Sequence, residues 1–453
     1  MRNKLLKSYD NNAELFWNII GSVGVKGLAM LVNILSLPAY LYYFSDQKIL
    51  GVWFTIISVL NWILTFDLGI GNGLRNLIIE PYLNKQYNEL KEYISTAYIS
   101  IGIICLILSL FSFVLAKSIN WNNFLNISDK IINPGVLFDS IFIVFLTVVC
   151  QLFLRLIVSI LYALQKTAIS NAISLISNTI ILLFLISFKF ESAPKSLISL
   201  SYVYFIAINI PLLIATVVVF FTKLRKAKPN LRFFRYKLTS KILNLGLMFL
   251  GIQVSLVVIN STNELIIAKY FQLENVVEYQ TYFRIFNIFL VLFSLITIPI
   301  WSAVTKAFVN KNIKWIKKIY FYLNIVAVVF TIFIFLSCFF INDIVHIWIG
   351  PGKIKVSYLT TFLIATYTSL MIFIYASNCI ANGISKLKPQ LIINLIAAII
   401  KFPLFVLFYH YYNNWNLIIL INIFIILPAI IIQPIQNYKE LKKNKIKKMK
   451  TLC

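Results

Sequence analysis

The sequence predicts an all-α polytopic membrane protein with about 12 transmembrane helices arranged as two six-helix lobes. Three observations predict it. The chain of 453 residues is 60% hydrophobic and only 12% charged, with a mean hydropathy of +0.86, so it has too few polar groups to cover a soluble globule. Its apolar residues come as long runs separated by short polar loops, far longer than barrel strands, and helices satisfy the backbone of such runs in lipid. Its basic residues, the source of a net charge of +26, gather in alternate loops, as they do on the cytoplasmic side of membrane proteins.

A spanning helix takes about 20 consecutive apolar residues. The segments that qualify are 15–43, 49–69, 93–117, 137–163, 167–188, 196–222, 242–268, 277–303, 318–341, 356–381, 389–410 and 416–438. Arg2, Lys4 and Lys7 precede the first, but Asp10 and Glu14 intervene, and the run is too long for a cleaved leader. The second span ends in DLGIGNGLRN, opened by Asp67. Its Gly69, Gly71 and Gly73 read as a turn leaving the bilayer, because the strand context and Lys-Ser/Thr of a nucleotide loop are missing.

A basic linker, KLRKAKPNLRFFRYKLTSK at 223–241, falls at mid-chain. It divides an N-terminal six-helix lobe, 1–222, from a C-terminal one, 242–438, which is followed by a basic tail, 439–453. The hairpin turn YYFSDQKILGVW lies over AKYFQLENVVEY when the halves are aligned. Such internal repeats are a common transporter plan, with the substrate site at the repeat interface. With the N-terminus inside, cytoplasmic segments hold 29 Lys/Arg and outer loops 8, with four more inside the spans completing the 41. This bias puts both termini in the cytoplasm.

Those four intramembrane cations are Lys26, Arg155, Arg284 and Lys401. A cation at the bilayer centre costs roughly 2.5–3.5 kcal/mol on insertion scales and marks a pathway or a partner. Helical offsets of four and seven align Lys26 with Ser22, Asn33 and Tyr40. They align Arg155 with Gln151, Ser159 and Tyr162, Arg284 with Gln280 and Asn287, and Lys401 with Asn394. Against them stand Asp67 and Glu264 as candidate coupling or ion-pair carboxylates, Glu264 within reach of pairing with Arg284. The excess of positive charge suits an anionic solute such as a pyrophosphate diester; Arg offers a planar fork to phosphate oxygens and Lys a movable point charge. Snorkelling to headgroups or internal ion pairing is the competing role for each cation.

Enzymatic chemistry finds little to stand on. His346 and His410, the two histidines, lie near helix ends without acidic or cysteine neighbours at useful spacing. The cysteines lack metal-ligand spacing, so neither a metal nor another cofactor is expected. The longest outer loop, 118–136, is short for a membrane polymerase, and the spans hold no central His for an acyltransferase.

GVWFTIISVLNWILTFDLGIGNGLRN (51–76) resembles the second helix of the polysaccharide flippases that move polyprenyl-linked O-antigen and capsule repeat units. VVEYQTYFRIFNIFLVLFSLITIPIWSAVTKAF (276–308), with Pro299 and Trp301 at its end and NKNIKWIKK after it, is similar to the eighth helix of that family. FLGIQVSLVVINSTNELIIAKYF and CIANGISKLKPQ agree. The resemblance implies the V-shaped fold of the multidrug/oligosaccharidyl-lipid/polysaccharide exporter superfamily. It also implies a bacterial inner-membrane flippase that carries undecaprenyl-pyrophosphate-linked oligosaccharide to the outer leaflet by alternating access.

On that reading Lys26, Arg155, Arg284 and Lys401 screen the pyrophosphate, and the lipid-linked sugar and the bilayer are the partners. H+ or Na+ would drive transport, other polysaccharide-assembly proteins are further candidate partners, and nucleic acid is not one. The alternative is a multidrug or small-solute exporter of the same fold. Drug exporters of the superfamily typically use a first-lobe carboxylate, often on helix one, where this chain has Lys26 and no acid.

Overall fold

The computed structural model describes residues 20–450 apart from 23, 30, 33–34, 37, 45–48, 55, 58–68, 125–127, 130–131, 191, 272 and 350–355. The described residues are helical throughout, with turns between helices and no strand. Among the described residues ten helices are long and apolar enough to cross a bilayer: Tyr87–Leu110, Pro134–Ala163, Thr167–Ser187, Pro194–Phe221, Tyr236–Ile267, Glu278–Val309, Ile313–Phe339, Tyr358–Gly383, Lys388–Tyr409 and Asn416–Lys443. They correspond to the third through twelfth expected spans. Further helical residues lie within 20–43 and 49–57. Apart from Phe44 and Gly69, the remainder of the first two expected spans and the turn between them, Asp67 included, lies outside the described residues.

Contacts divide the chain into two compact units, Met1–Leu247 and Met248–Cys453, the division falling inside the helix Tyr236–Tyr270. In the first unit Pro134–Leu154 packs between Tyr87–Ser118 and Ala193–Phe221, and Thr167–Ser187 lies against the latter. The basic linker stretch forms two short 3-10 turns, Arg225–Ala227 and Leu231–Phe233, docked on Tyr87–Ser118. Backbone N–H groups of Asn230 and Arg235 donate to Ser95 Oγ (3.0 Å) and Thr96 Oγ1 (3.1 Å), and Arg235 pairs with Glu92 at 2.9 Å. In the second unit Tyr358–Gly383 is the central helix, touching Leu273–Val309, Ile313–Phe339 and Asn416–Lys450. It has the largest buried share of the ten spans.

Local signals explain many of the ends. Asn133 caps Pro134–Leu154, its Oδ1 accepting from Gly135 N at 2.8 Å, with Pro134 at the first helical position, where a missing N–H costs nothing. Four turns share one geometry. Lys85, Gln165, Lys311 and Ser385 have φ of 56°, 59°, 55° and 56°. Each turn closes with the paired bonds of a Schellman motif, as in Lys85 N to Tyr82 O and Gln86 N to Pro81 O. The bonds recur as Gln165–Tyr162 with Lys166–Leu161, Lys311–Phe308 with Asn312–Ala307, and Ser385–Asn382 with Lys386–Ala381. The turns before the third and fifth expected spans thus match those before the ninth and eleventh, so the backbone of the second half repeats that of the first.

Two glycine contacts decide close helix approaches. Gly69, in the left-handed conformation at φ 63°, opens the short helix Ile70–Leu77, so the expected turn in DLGIGNGLRN sits at that one residue. Gly73, by contrast, is helical and a contact point. A Cβ there would lie 3.0 Å from Ile242 O, and one on Gly246 would lie 3.2 Å from Gly69 C. Small residues let helix backbones approach in this way.

Candidate functional site

Lys401 lies on the buried stripe of Lys388–Tyr409 that Asn394, Ala397 and Phe405 define. It is held there by packing one turn on: the Phe405 ring meets Tyr270 at 5.0 Å between centroids. The side chain is 2% exposed. Its Nζ donates to Ile259 O (2.6 Å), Thr262 Oγ1 (2.7 Å) and Asn263 Oδ1 (2.6 Å). A lysine ammonium has three donors, and all three are used. Among the described residues no carboxylate lies within 4.0 Å of it, so this is a buried charge solvated by neutral oxygens.

A polar network extends from that cage. Asn263 Oδ1 also accepts from Asn422 Nδ2 (3.1 Å), while Asn263 Nδ2 donates to Tyr279 OH (2.8 Å). Tyr367 OH donates to Asn260 Oδ1 at 2.6 Å. Asn263, Tyr279, Asn287, Tyr367, Thr368 and Asn422 line a cavity of about 20 Å³, room for one water molecule. Glu264, the next residue on the helix, is half-buried and accepts from Gln280 Nε2. An anion approaching Lys401 must displace one of the acceptors it already holds.

The other expected cations stand in different surroundings. Arg284 is exposed, on the stripe that continues through exposed Ile288 and Leu292. The expected Glu264–Arg284 pair is not formed, because Gln280 supplies the hydrogen bond to Glu264. In the first unit Lys26 is half-buried on a helical stretch docked through Ser22, whose Oγ is 2.7 Å from Thr167 Oγ1. Arg155, also half-buried and engaged in an interaction of its own, occupies the single-residue break between Pro134–Leu154 and Leu156–Ala163. Of the two candidate carboxylates, Asp67 lies outside the described residues.

Sequence reasoning missed two charged residues. Arg75, counted above as a loop cation, is 1% exposed, and its guanidinium stands 5.0 Å from the centroid of the Tyr162 ring. The signal was its place after the Gly-rich turn, where Ile70–Leu77 packs against Leu156–Ala163. Glu278 begins a span, and its Oε2 accepts from Trp415 Nε1 at 3.2 Å. Trp415 is buried in the unit at 5% exposure. Glu278 also lines a polar cavity of about 320 Å³ with Asn275, Ser357, Thr360 and Asn414. Among the described residues no cluster of His, Cys, Asp and Glu is placed to hold a metal.

Solved structures share this fold over nearly the whole chain. An outward-facing multidrug resistance MATE family transporter of the MOP superfamily is similar at 12% identity and TM-score 0.76, over 94% of this chain and 96% of its own. MATE in complex with MaD3S is similar at 12% and 0.77, over 95% and 96%. A MOP superfamily transporter from Pyrococcus furiosus, described as having a binding pocket of reversed polarity that suggests a different function, is similar at 12% and 0.68 over 96% of each chain. Neither a protein-family model nor a curated protein matches the sequence. The fold is therefore that of the MATE-type, two-lobed transporters of the MOP superfamily, and the chain is a multi-pass membrane protein.

Proposed function

We propose that the chain is a secondary transporter that exports small organic solutes, with Glu264 as its coupling carboxylate. The observation that carries this reading is the likeness to an outward-facing multidrug transporter over 94% of the chain. Glu264 supports it as a half-buried acid within a span, held by a neutral amide and so free of a competing cation. Intramembrane ionisable residues serve such relays. The half-buried cations Lys26 and Arg155 favour an anionic solute over a cationic drug, in line with the reversed pocket polarity described for the Pyrococcus furiosus protein. Proteoliposomes carrying an imposed proton or sodium gradient test this. Uptake of anionic dyes that follows the gradient and is lost in Glu264→Gln supports the reading; equal uptake by empty liposomes removes it.

A second reading, a flippase for polyprenyl-pyrophosphate-linked oligosaccharide in the bacterial cytoplasmic membrane, is favoured by one observation. Four Lys/Arg set against Asp67 and Glu264 leave an excess of positive charge within the spans, which a pyrophosphate diester would balance. Deleting the gene separates the two. A flippase mutant accumulates lipid-linked repeat units on the inner leaflet, whereas an exporter mutant accumulates none and becomes sensitive to its solute.

A further inference from the structure

We propose that the three oxygens around Lys401 Nζ form a monovalent-cation site that the chain fills with its own ammonium. The cage has the chemistry of such a site. It consists of a main-chain carbonyl (Ile259), a hydroxyl (Thr262) and an amide oxygen (Asn263), all neutral and 2.6–2.7 Å from Nζ. Neutral carbonyl-type oxygens bind monovalent cations by replacing their hydration shell, and an ammonium differs from potassium chiefly in needing its donors directed.

The oxygens are aimed by bonds that do not involve Lys401. Thr262 Oγ1 donates its own proton to Val258 O at 2.6 Å, which leaves its lone pairs for the cage. Asn263 Nδ2 is committed to Tyr279 OH, and Asn422 donates to the same Asn263 Oδ1 that Lys401 uses, so the amide cannot rotate without losing both bonds. Ile259 O belongs to the regular helix Tyr236–Tyr270. Removing the lysine side chain therefore leaves three oriented acceptors facing a buried space of the right polarity. Each oxygen keeps one other bond, Ile259 O within its helix, Thr262 Oγ1 to Val258 O and Asn263 Oδ1 to Asn422, but buried lone pairs stripped of the ammonium are under-solvated, and a small cation from solution satisfies all three at once. This inference does not depend on what the protein transports. It accounts for a buried lysine without a carboxylate partner: the charge is tethered, so the structure needs no dissolved ion at this position.

The test uses the purified full-length chain in nanodiscs, comparing wild type, Lys401→Ala and Lys401→Met by thermal unfolding. The media are choline, sodium, potassium, ammonium and methylammonium chlorides at matched ionic strength. Lys401→Ala is expected to gain about 3 °C or more, saturably, in at least one of the small cations over choline. Wild type, and Lys401→Met whose chain fills the space, stay level across the series. Adding Asn263→Leu to Lys401→Ala should abolish the gain. Equal midpoints for Lys401→Ala in all five media would overturn the proposal. If that variant is recovered folded only when extracted in a small cation, the site is supported. Failure in every cation, with Lys401→Met folding normally, overturns it.

Discussion

Lys401 and Lys26 look alike in sequence, each a cation in an apolar run with polar residues on its helix face, yet the structure separates them. Lys401 holds three neutral oxygens at 2% exposure, whereas Lys26 is half-buried and, among the described residues, makes no hydrogen bond or ion pair. Truncation should act accordingly. Lys401→Ala takes one hydrogen bond from each of three buried acceptors and leaves a space behind, a loss of about 2–4 kcal/mol, read as a lower unfolding midpoint in choline buffer. Lys26→Ala is expected to insert at near-normal levels with an unchanged midpoint but to lose transport, while Lys26→Arg keeps part of it; full transport by Lys26→Ala would assign this lysine to snorkelling. The carboxylates give a third contrast. Glu264→Gln keeps the hydrogen-bonding shape beside Gln280 but cannot carry a proton, so insertion should persist while gradient-driven uptake stops. Uptake that continues in both Glu264→Gln and Asp67→Asn would remove these acids from the mechanism. Periodicity revealed the stripe shared by Asn394 and Lys401, since an offset of seven fixes azimuth in any helix. It could not reveal the acceptors on residues 259–263, which come from another helix.

At the scale of helices, hydropathy located all ten describable spans, because length and apolarity alone decide which segments a bilayer accepts. What it missed is short or set by contact. Ile341–Ile349 buries Ile341 and Val345 and leaves Ile347 and Trp348 exposed, the pattern of a helix lying at an interface, though its length fell below any spanning threshold. Arg75 was read as a loop residue because nothing in the sequence shows Ile70–Leu77 folding back onto Leu156–Ala163. Glycines at packing points give an element-scale prediction. A Cβ on Gly383 would lie 2.5 Å from Val304 Cγ1 and 3.1 Å from Trp301 O, whereas one on Gly251 would meet the flexible end of Leu391 at 2.6 Å. Gly383→Ala should therefore cost about 1–3 kcal/mol, and Gly251→Ala much less, in thermal unfolding in detergent. At the left-handed turn positions the sign reverses: Lys85→Gly or Lys311→Gly relieves a Cβ penalty and should leave stability level or raise it by up to about 1 kcal/mol.

For the molecule as a whole, the 29-to-8 distribution of Lys/Arg predicts that residues 223–241 and the C-terminal tail share one side of the membrane. A reporter fused after Lys450 is expected to be active only in its cytoplasmic form, and periplasmic activity would overturn the twelve-span topology. The repeat that hydropathy suggested has a backbone counterpart in the four matching Schellman turns. No residue pattern could have announced them, since Lys, Gln, Lys and Ser stand where glycine is usual. The sequence by itself determined that this protein crosses a membrane many times as helices, because hydration and backbone hydrogen bonding depend on composition along the chain. It also determined which few charged residues are forced to lie within those helices. Only the tertiary structure decided what each charge meets: Lys401 a cage of neutral oxygens, Arg75 an aromatic ring, Glu264 an amide in place of the arginine expected for it. The physical reason is that a charge's environment at short range belongs to neighbours that folding brings together from distant parts of the chain.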